Sequence, residues 1–269
     1  MTYRDIIVDA TPRDGLVQTL ERARDLAAGF DARLKAVCFA WPRTSVLRTA
    51  LASNPLSVLE ETRRMDAALA GAHDAFLQVF GSGSKTADWL SGMGEPGPPL
   101  RDHLLTADLL VTSSAPPMAC ALPNAGELAL HGGGPVLRLG AAAASGDLSN
   151  AVIGWKDAPQ ARRALHDALP LLRRAQTVTV VGVGDEVEQG QLEDVAAHLK
   201  RHDAPAAVRH IPATAGSTGA ADLLAEAHRL GADLIVTGAF GRGPLAQRMW
   251  GGMTSGLQDD AELSWLMSH

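Results

Sequence analysis

The order of apolar and polar positions along the chain predicts alternating strands and helices. A short apolar run at residues 6–8 is followed by apolar residues at helical spacing from 16 to 30. The same order returns with an apolar run at 152–153 and helical spacing from 161 to 172. Short apolar runs between turn residues are typical of buried strands, and apolar positions three or four residues apart are typical of amphipathic helices. Each half therefore opens with a strand, a turn and a helix.

An internal repeat organises the two halves. The segments Ala-Asp-Leu-Leu-Val-Thr at 107–112 and Ala-Asp-Leu-Ile-Val-Thr at 232–237 share five of six residues and hold the same place in the order of elements. This indicates a duplicated βαβαβαβ unit, whose parallel strands need right-handed crossovers with helices on both faces. We predict an α/β fold of two tandem doubly wound parallel-sheet domains, 1–145 and 146–269, joined by the small and polar residues 140–149.

A glycine pattern follows the second copy of the repeated strand. Glycine occurs at 238, 241 and 251, in the spacing G-x-x-G-x9-G. Glycine permits positive φ and lets the backbone approach oxygen atoms that a Cβ would block, and free N–H groups at a helix start attract anions. Arg242 lies inside this loop, where its guanidinium either pairs with a phosphate or stays in solvent. The pattern therefore indicates a nucleotide phosphate site.

On this spacing the chain resembles the universal stress protein family, over nearly its whole length as two domains. Nucleotide-binding members follow the spacing with Ser or Thr, whereas this chain has Gly252 and then Thr254, an ending similar to that of double-domain members. The resemblance implies a Rossmann-like domain of the adenine-nucleotide α-hydrolase type with ATP as its cofactor. The residues that it places around the phosphates are Gly238, Gly241, Gly251, Gly252, Met253 and Thr254.

The resemblance also places the adenine base at the ends of the first two strands of the second domain, near Trp155, Lys156 and Val183. Lys156 stands where family members commonly have Asp, and a lysine can also contact a phosphate or the ribose. Trp155 packs either on the base or in the core. In the first domain, prolines at 116 and 117 replace the glycine turn and remove two N–H donors. We therefore expect one site, in the second domain.

Composition and charge exclude several other classes. A net charge of -6 and a pI near 5.8 argue against nucleic acid as a partner, because binding to phosphate backbones needs a clustered basic surface. The N-terminus lacks the order of a signal peptide, and no apolar run approaches the roughly 18 residues that a membrane span needs. We therefore expect a cytoplasmic protein with no membrane partner.

The candidate metal-binding and redox residues favour structural interpretations. Cys38 and Cys120 cannot form a metal cage alone and lack C-x-x-C spacing. Cys38 lies in the apolar run 34–40, which favours a buried structural thiol there. His198 and His202 share one face of a predicted helix, and we interpret them as surface histidines rather than metal ligands because no third ligand is fixed by spacing.

No Ser-His-Asp constellation or G-x-S-x-G turn occurs, so we expect a non-enzymatic protein, with slow ATP hydrolysis left open. The resemblance implies a stress-response regulator whose nucleotide alters its shape or contacts. The alternative is an interaction scaffold in which the glycine loops are structural. Family domains pair through the strand after the glycine-loop helix, here 135–139 and 264–268. The two halves are therefore expected to pair within one chain, and a homodimer of such chains stays open.

Overall fold

The computed structural model describes residues 2–53, 55–114, 120–141, 148–239 and 260–269. The chain packs as two compact units, Tyr3–Gly132 and Gly133–His269. The first unit ends earlier than the predicted domain boundary near residue 145, because the strand after Gly133 pairs inside the second unit. The domain boundary itself stays a prediction.

The first unit is a parallel sheet with the strand order β3-β2-β1-β4. Its strands are β1 (Asp5–Asp9), β2 (Arg33–Ala40), β3 (Ala87–Met93) and β4 (Leu109–Ser113). Its helices are α1 (Leu16–Phe30), α2 (Thr44–Ser53), α3 (Pro55–Phe80), α4 (Gly97–Leu104) and α5 (Ala125–Gly132). The strand order reverses between β1 and β4, so a crevice forms at their carboxyl ends.

The second unit repeats this plan with the strand order β5-β10-β9-β6-β7-β8. Its strands are β5 (Val136–Leu139), β6 (Asn150–Gly154), β7 (Thr177–Val183), β8 (Ala206–Ile211), β9 (Leu234–Gly238) and β10 (Ser264–Ser268). Its helices are α6 (Pro159–Leu172), α7 (Gln189–Arg201) and α8 (Gly219–Arg229). Strand β5 is antiparallel to β10, and the other described pairs are parallel. The predicted doubly wound α/β fold is confirmed.

The repeated Ala-Asp-Leu segment has one structural role in both units. The Asp108 carboxylate accepts hydrogen bonds from the backbone N–H groups of Arg4, at 2.6 Å, and Asp5, at 3.0 Å. The Asp233 carboxylate accepts from the N–H groups of Ser149, at 2.9 Å, and Asn150, at 3.0 Å. Each aspartate thus fixes the start of the neighbouring strand, β1 or β6. The sequence identity of the repeat therefore reflects strand anchoring as well as burial.

Strand β10 lies inside the sheet of the second unit, between β5 and β9. Its five residues are all buried, and Trp265 is opposite Arg138 in the antiparallel pair. The Trp265 indole N–H donates to the Thr237 hydroxyl at 2.8 Å, and the Arg138 guanidinium lies 5.7 Å from the centre of the Trp265 ring. The predicted pairing of 135–139 with 264–268 is confirmed.

Three histidines cluster at α6 and α7: His166 is on α6, His198 is on α7, and His202 directly follows α7. The ring centre of His198 lies 5.3 Å from that of His166 and 4.5 Å from that of His202. Burial lowers the pKa of His198 below its ordinary value of 6.5, and positive charge on His202, His166 and Arg201 lowers it further. Across the described segments, no three His, Cys, Asp or Glu side chains have the geometry to hold a metal ion.

This lowered pKa predicts a loss of stability in acid. The unfolded chain protonates His198 more readily than the folded chain, so the stabilisation is complete above about pH 6.5 and is lost as the pH falls through the folded pKa. We expect His198→Gln to lose less unfolding free energy than the wild type between about pH 7.5 and about pH 5. Urea unfolding at both pH values measures this difference. His131→Gln, on the exposed surface of α5, should follow the wild type; a His198→Gln curve identical to the wild type would contradict the prediction.

Candidate functional site

A cavity of about 420 Å³ opens at the carboxyl ends of β6 and β7 in the second unit. This is the edge at which open parallel sheets bind ligands, and the volume is within the range of small-molecule sites. One wall follows β6, a second is the connection from β7 to α7, and the third is the start of α8. The lining residues used below are Trp155, Lys156, Val183, Asp185, Glu186 and Ser217.

The cavity brings together three of the residues predicted from the sequence. Trp155, Lys156 and Val183 all line it, although the first and the last are 28 positions apart in the sequence. Gly238 is the last residue of β9 and is not among the lining residues. The remaining candidates lie outside the described residues: Gly241, Arg242, Gly251, Gly252, Met253 and Thr254. The structure thus describes the residues that are predicted to contact the base. Those predicted to contact the phosphates, Gly238 apart, lie outside it, and both sets of contacts stay predictions.

Trp155 is both a buried residue and a wall of the cavity. Its side chain is 9% exposed, and its backbone N–H donates to the carbonyl of Val181 at 2.8 Å, which extends the β6–β7 ladder by one residue. Among the described residues, no acceptor lies within hydrogen-bonding distance of its buried indole N–H. The burial of Trp155 agrees with the core interpretation, and its packing on a base stays a prediction.

Lys156 pairs with an acidic residue of the cavity wall. Its ammonium lies 2.6 Å from the carboxylate of Glu186, in the connection between β7 and α7. The neighbouring Asp157 forms an ion pair with Arg162 of α6. Asp157 is not among the lining residues, but Asp185 is, so the described part of the cavity carries two carboxylates and one cation. This charge balance favours a neutral group there over a phosphate.

Gly238 is required by close packing and not by its backbone angle. Of the two reasons that the sequence offers for glycine here, positive φ does not apply, because Gly238 is not in the left-handed region. A Cβ there would lie 2.7 Å from the carbonyl carbon of Gln160 and 2.8 Å from the backbone nitrogen of Ala161. The first turn of α6 thus passes directly over the end of β9, and any side chain at 238 would displace it.

The start of α8 is held by a carboxylate that sequence reasoning missed. Asp222 accepts a hydrogen bond from the backbone N–H of Thr214 at 3.0 Å. Burial alone raises the pKa of Asp222, but hydrogen bonds from Thr214 and Ser217 outweigh it, so the pKa lies below its ordinary value. The ionised carboxylate therefore fixes the loop that forms the third wall of the cavity.

Glu186 was also missed, although a signal for it exists. The segment Gly184-Asp185-Glu186 follows the apolar strand β7 directly, and Gly184 has a φ of 80° that turns the chain across the carboxyl edge of the sheet. Polar residues at this edge are candidates for ligand binding in any doubly wound sheet.

The corresponding crevice of the first unit is filled by its own side chains. Asp9 ends β1 as Gly154 ends β6, and Asp9 is fully buried in an ion pair with Arg13. The Asp9 carboxylate accepts from the Thr112 hydroxyl at 2.7 Å, and Arg13 donates to the carbonyl of Ser113 at 2.8 Å. The guanidinium thus bridges the ends of β1 and β4, where the strand order reverses.

Comparison with solved structures decides the fold. A universal stress protein from Archaeoglobus fulgidus aligns over 99% of this chain and 96% of its own, with a TM-score of 0.67 and 12% identity. A Pseudomonas aeruginosa protein described as a universal stress protein aligns over 99% and 93%, with a TM-score of 0.62 and 14% identity. The chain has the tandem universal stress protein fold. A functionally unknown P. aeruginosa protein shares it over 99% and 92%, with a TM-score of 0.58 and 14% identity.

The likeness to the universal stress fold is structural. No family model and no curated protein matches the sequence. The described helices include none with the length and apolar character needed to cross a bilayer.

Proposed function

We propose that the second unit binds an adenine nucleotide, ATP in the first instance, and that occupancy regulates a non-enzymatic role in stress response. The observation that carries this proposal is the cavity lined by Trp155, Lys156 and Val183 at the ligand-binding edge of a universal stress fold. The glycine pattern starts at Gly238, at the end of β9 on the same edge of the sheet. A nucleotide whose adenine base occupies the cavity would place its phosphates away from the carboxylates of Asp185 and Glu186, because like charges repel.

The structure of the first unit supports the proposal that the chain has one nucleotide site, in the second unit. Arg13 is 6% exposed and already supplies a cation, with Asp9 as its counter-ion, at the point where the strand order reverses. A nucleotide would have to displace a buried and hydrogen-bonded ion pair, which is unfavourable. The proposed stoichiometry is therefore one nucleotide per chain.

Calorimetric titration with ATP, ADP and AMP tests this function. We expect micromolar binding by the wild type at one nucleotide per chain, and loss of binding in Gly251→Asp, because a carboxylate would stand where phosphates bind. Gly238→Asp is unsuitable because a Cβ at 238 would lie 2.7 Å from the carbonyl carbon of Gln160 and would displace α6, so lost binding could not be assigned to the phosphate site. Gly190→Asp is the matched control, since a Cβ at that α7 position has nothing within 4 Å.

A scaffold that acts through protein contacts is the second candidate. It is favoured by exposed leucines on α2 and α3 of the first unit, Leu51 at 64%, Leu56 at 69% and Leu59 at 47%. No nucleotide binding by a folded wild type would favour this alternative, and ATP turnover that Gly251→Asp abolishes would show an enzyme instead. Cytoplasmic location, homodimer formation and the lack of a nucleic-acid partner stay predictions.

A further inference from the structure

A second cavity, of about 330 Å³, opens in the first unit at the amino ends of β1, β2 and β3. Doubly wound sheets bind nucleotides at the other edge, beyond the carboxyl ends of their strands. The volume is within the range of small-molecule sites. The charged and titratable residues that line this cavity are Asp5, Arg33, Lys35, Asp88 and His103. The cavity is therefore a candidate site that nucleotide binding does not explain.

The register of the strands places four of these side chains on one face of the sheet. Asp5 is opposite Arg33, and Lys35, two residues further along β2, is opposite Asp88. Arg33 and Asp88 form an ion pair at 3.5 Å. Within the described ranges, the half-buried Lys35 ammonium and the Asp5 carboxylate have no hydrogen-bond or ion-pair partner. One cation and one anion, on neighbouring strands of the cavity wall, are therefore available to a ligand.

The second unit shows that the fold does not need these charges. The four positions in the same register there are uncharged: Asn150, Thr177, Thr179 and Ala207. The side-chain N–H groups of Asn150 donate to the carbonyls of Leu230, at 2.8 Å, and Gly231, at 2.9 Å. These bonds close the corner between β6 and the end of α8. The charges of the first unit are therefore not a requirement of the fold.

Asp5 cannot close the equivalent corner of the first unit. It takes the place of Asn150 at the start of the first strand. Thr106 takes the place of Gly231, two residues before the anchoring aspartate of each unit. An ionised carboxylate and a backbone carbonyl both only accept hydrogen bonds. Asp5 and Thr106 line the cavity together, so this corner lacks the donor that Asn150 supplies in the second unit.

We propose that this cavity of the first unit binds an α-amino acid. The ammonium of the amino acid donates to the Asp5 carboxylate and the Thr106 carbonyl, and its carboxylate accepts from the Lys35 ammonium. Neighbouring strands lie about 4.8 Å apart, which suits the short separation of the two charged groups in an α-amino acid. A zwitterion gives both free charges a partner, whereas a simple anion or cation leaves one of them unpaired. The site does not require nucleotide binding by the second unit.

Calorimetry on the full chain tests this site with a panel of the standard amino acids. We expect at least one to bind the wild type with a dissociation constant in the micromolar to millimolar range, on the order of 10⁻⁵–10⁻³ M. The amide of the tightest-binding amino acid lacks the carboxylate, and the corresponding carboxylic acid lacks the ammonium. Each analogue should bind about 10- to 100-fold more weakly, the effect of one hydrogen bond between charged groups.

Matched variants assign each end of the amino acid. Lys35→Met should weaken the amino acid about 10- to 100-fold but its amide less than about 2-fold, because the amide has no carboxylate to lose. Asp5→Asn, which introduces the residue type of the second unit, should weaken the amino acid to the same extent but the carboxylic acid less than about 2-fold. Lys85→Met and Asp14→Asn are the controls, since they remove the same charges at exposed positions outside the cavity lining.

Three results would overturn the proposal. These are no binding of any standard amino acid to the folded wild type, equal affinity for the amino acid and its amide, and equal losses in Lys35→Met and Lys85→Met. The comparison of analogues uses the wild type alone, so it decides the assignment even where a variant does not fold. ATP titration of Lys35→Met should match the wild type, which keeps this test separate from that of the nucleotide site.

Discussion

A chain that ends at Leu263 is expected to lose the cooperative unfolding transition of the second unit. The deletion removes β10 from between β5 and β9, and with it the buried side chains of Trp265, Leu266 and Met267. Burial of each side chain contributes roughly 1.5–3 kcal/mol to the free energy of unfolding. The backbone hydrogen bonds to both neighbouring strands are lost as well. The total is comparable to the roughly 5–15 kcal/mol that stabilises an ordinary domain.

Thermal and urea unfolding of the shortened chain measure this loss. Removal of His269 alone is the control, since it deletes one side-chain hydrogen bond, to the carbonyl of Ala239 at 2.7 Å, and keeps β10. We expect that control to cost about 1 kcal/mol. An unchanged melting temperature in the chain that ends at Leu263 would show that β10 does not stabilise the unit.

The elements that the sequence predicts well are those specified by local patterns. The repeated strands at 107–112 and 232–237 are buried β4 and β9, because continuous apolar runs cannot face solvent on either side of a sheet. The pairing of β5 with β10 was also predictable, since two apolar edge strands need partners. Trp155, Lys156 and Val183 line one cavity because they lie at the ends of adjacent strands, and their predicted contact with a base stays a prediction.

The elements that the sequence predicts poorly depend on pairs of distant residues. Glu186 meets Lys156 across 30 positions, and Arg13 meets Thr112 across 99, so no local spacing reveals either contact. The sequence predicts a close backbone approach at Gly238, but it does not reveal that the approaching element is the first turn of α6. Packing between elements decides such roles, and a linear pattern carries no information on it.

The buried Asp9–Arg13 pair predicts a large and asymmetric mutational effect in the first unit. Asp9 is 0% exposed and also accepts from the backbone N–H of Thr11 at 3.0 Å and the Thr112 hydroxyl at 2.7 Å. Asp9→Ala leaves the Arg13 guanidinium buried without its counter-ion, which is expected to cost about 3–5 kcal/mol. Asp88→Ala removes the partner of the exposed Arg33 in the same unit and should cost less than about 1 kcal/mol.

The double variant Asp9→Ala/Arg13→Met decides whether the cost comes from the stranded charge. Methionine keeps an apolar chain of similar length in the crevice and needs no counter-ion. We therefore expect the double variant to be about 1–3 kcal/mol more stable than Asp9→Ala alone, by urea unfolding. If the two substitutions are instead additive, the charge is not the source of the loss, and the hydrogen bonds to Thr11 and Thr112 are. Comparison of the single and double variants thus separates the electrostatic role of Arg13 from its role in filling the crevice. In the second unit, Gly154 stands at the strand position that Asp9 holds in the first.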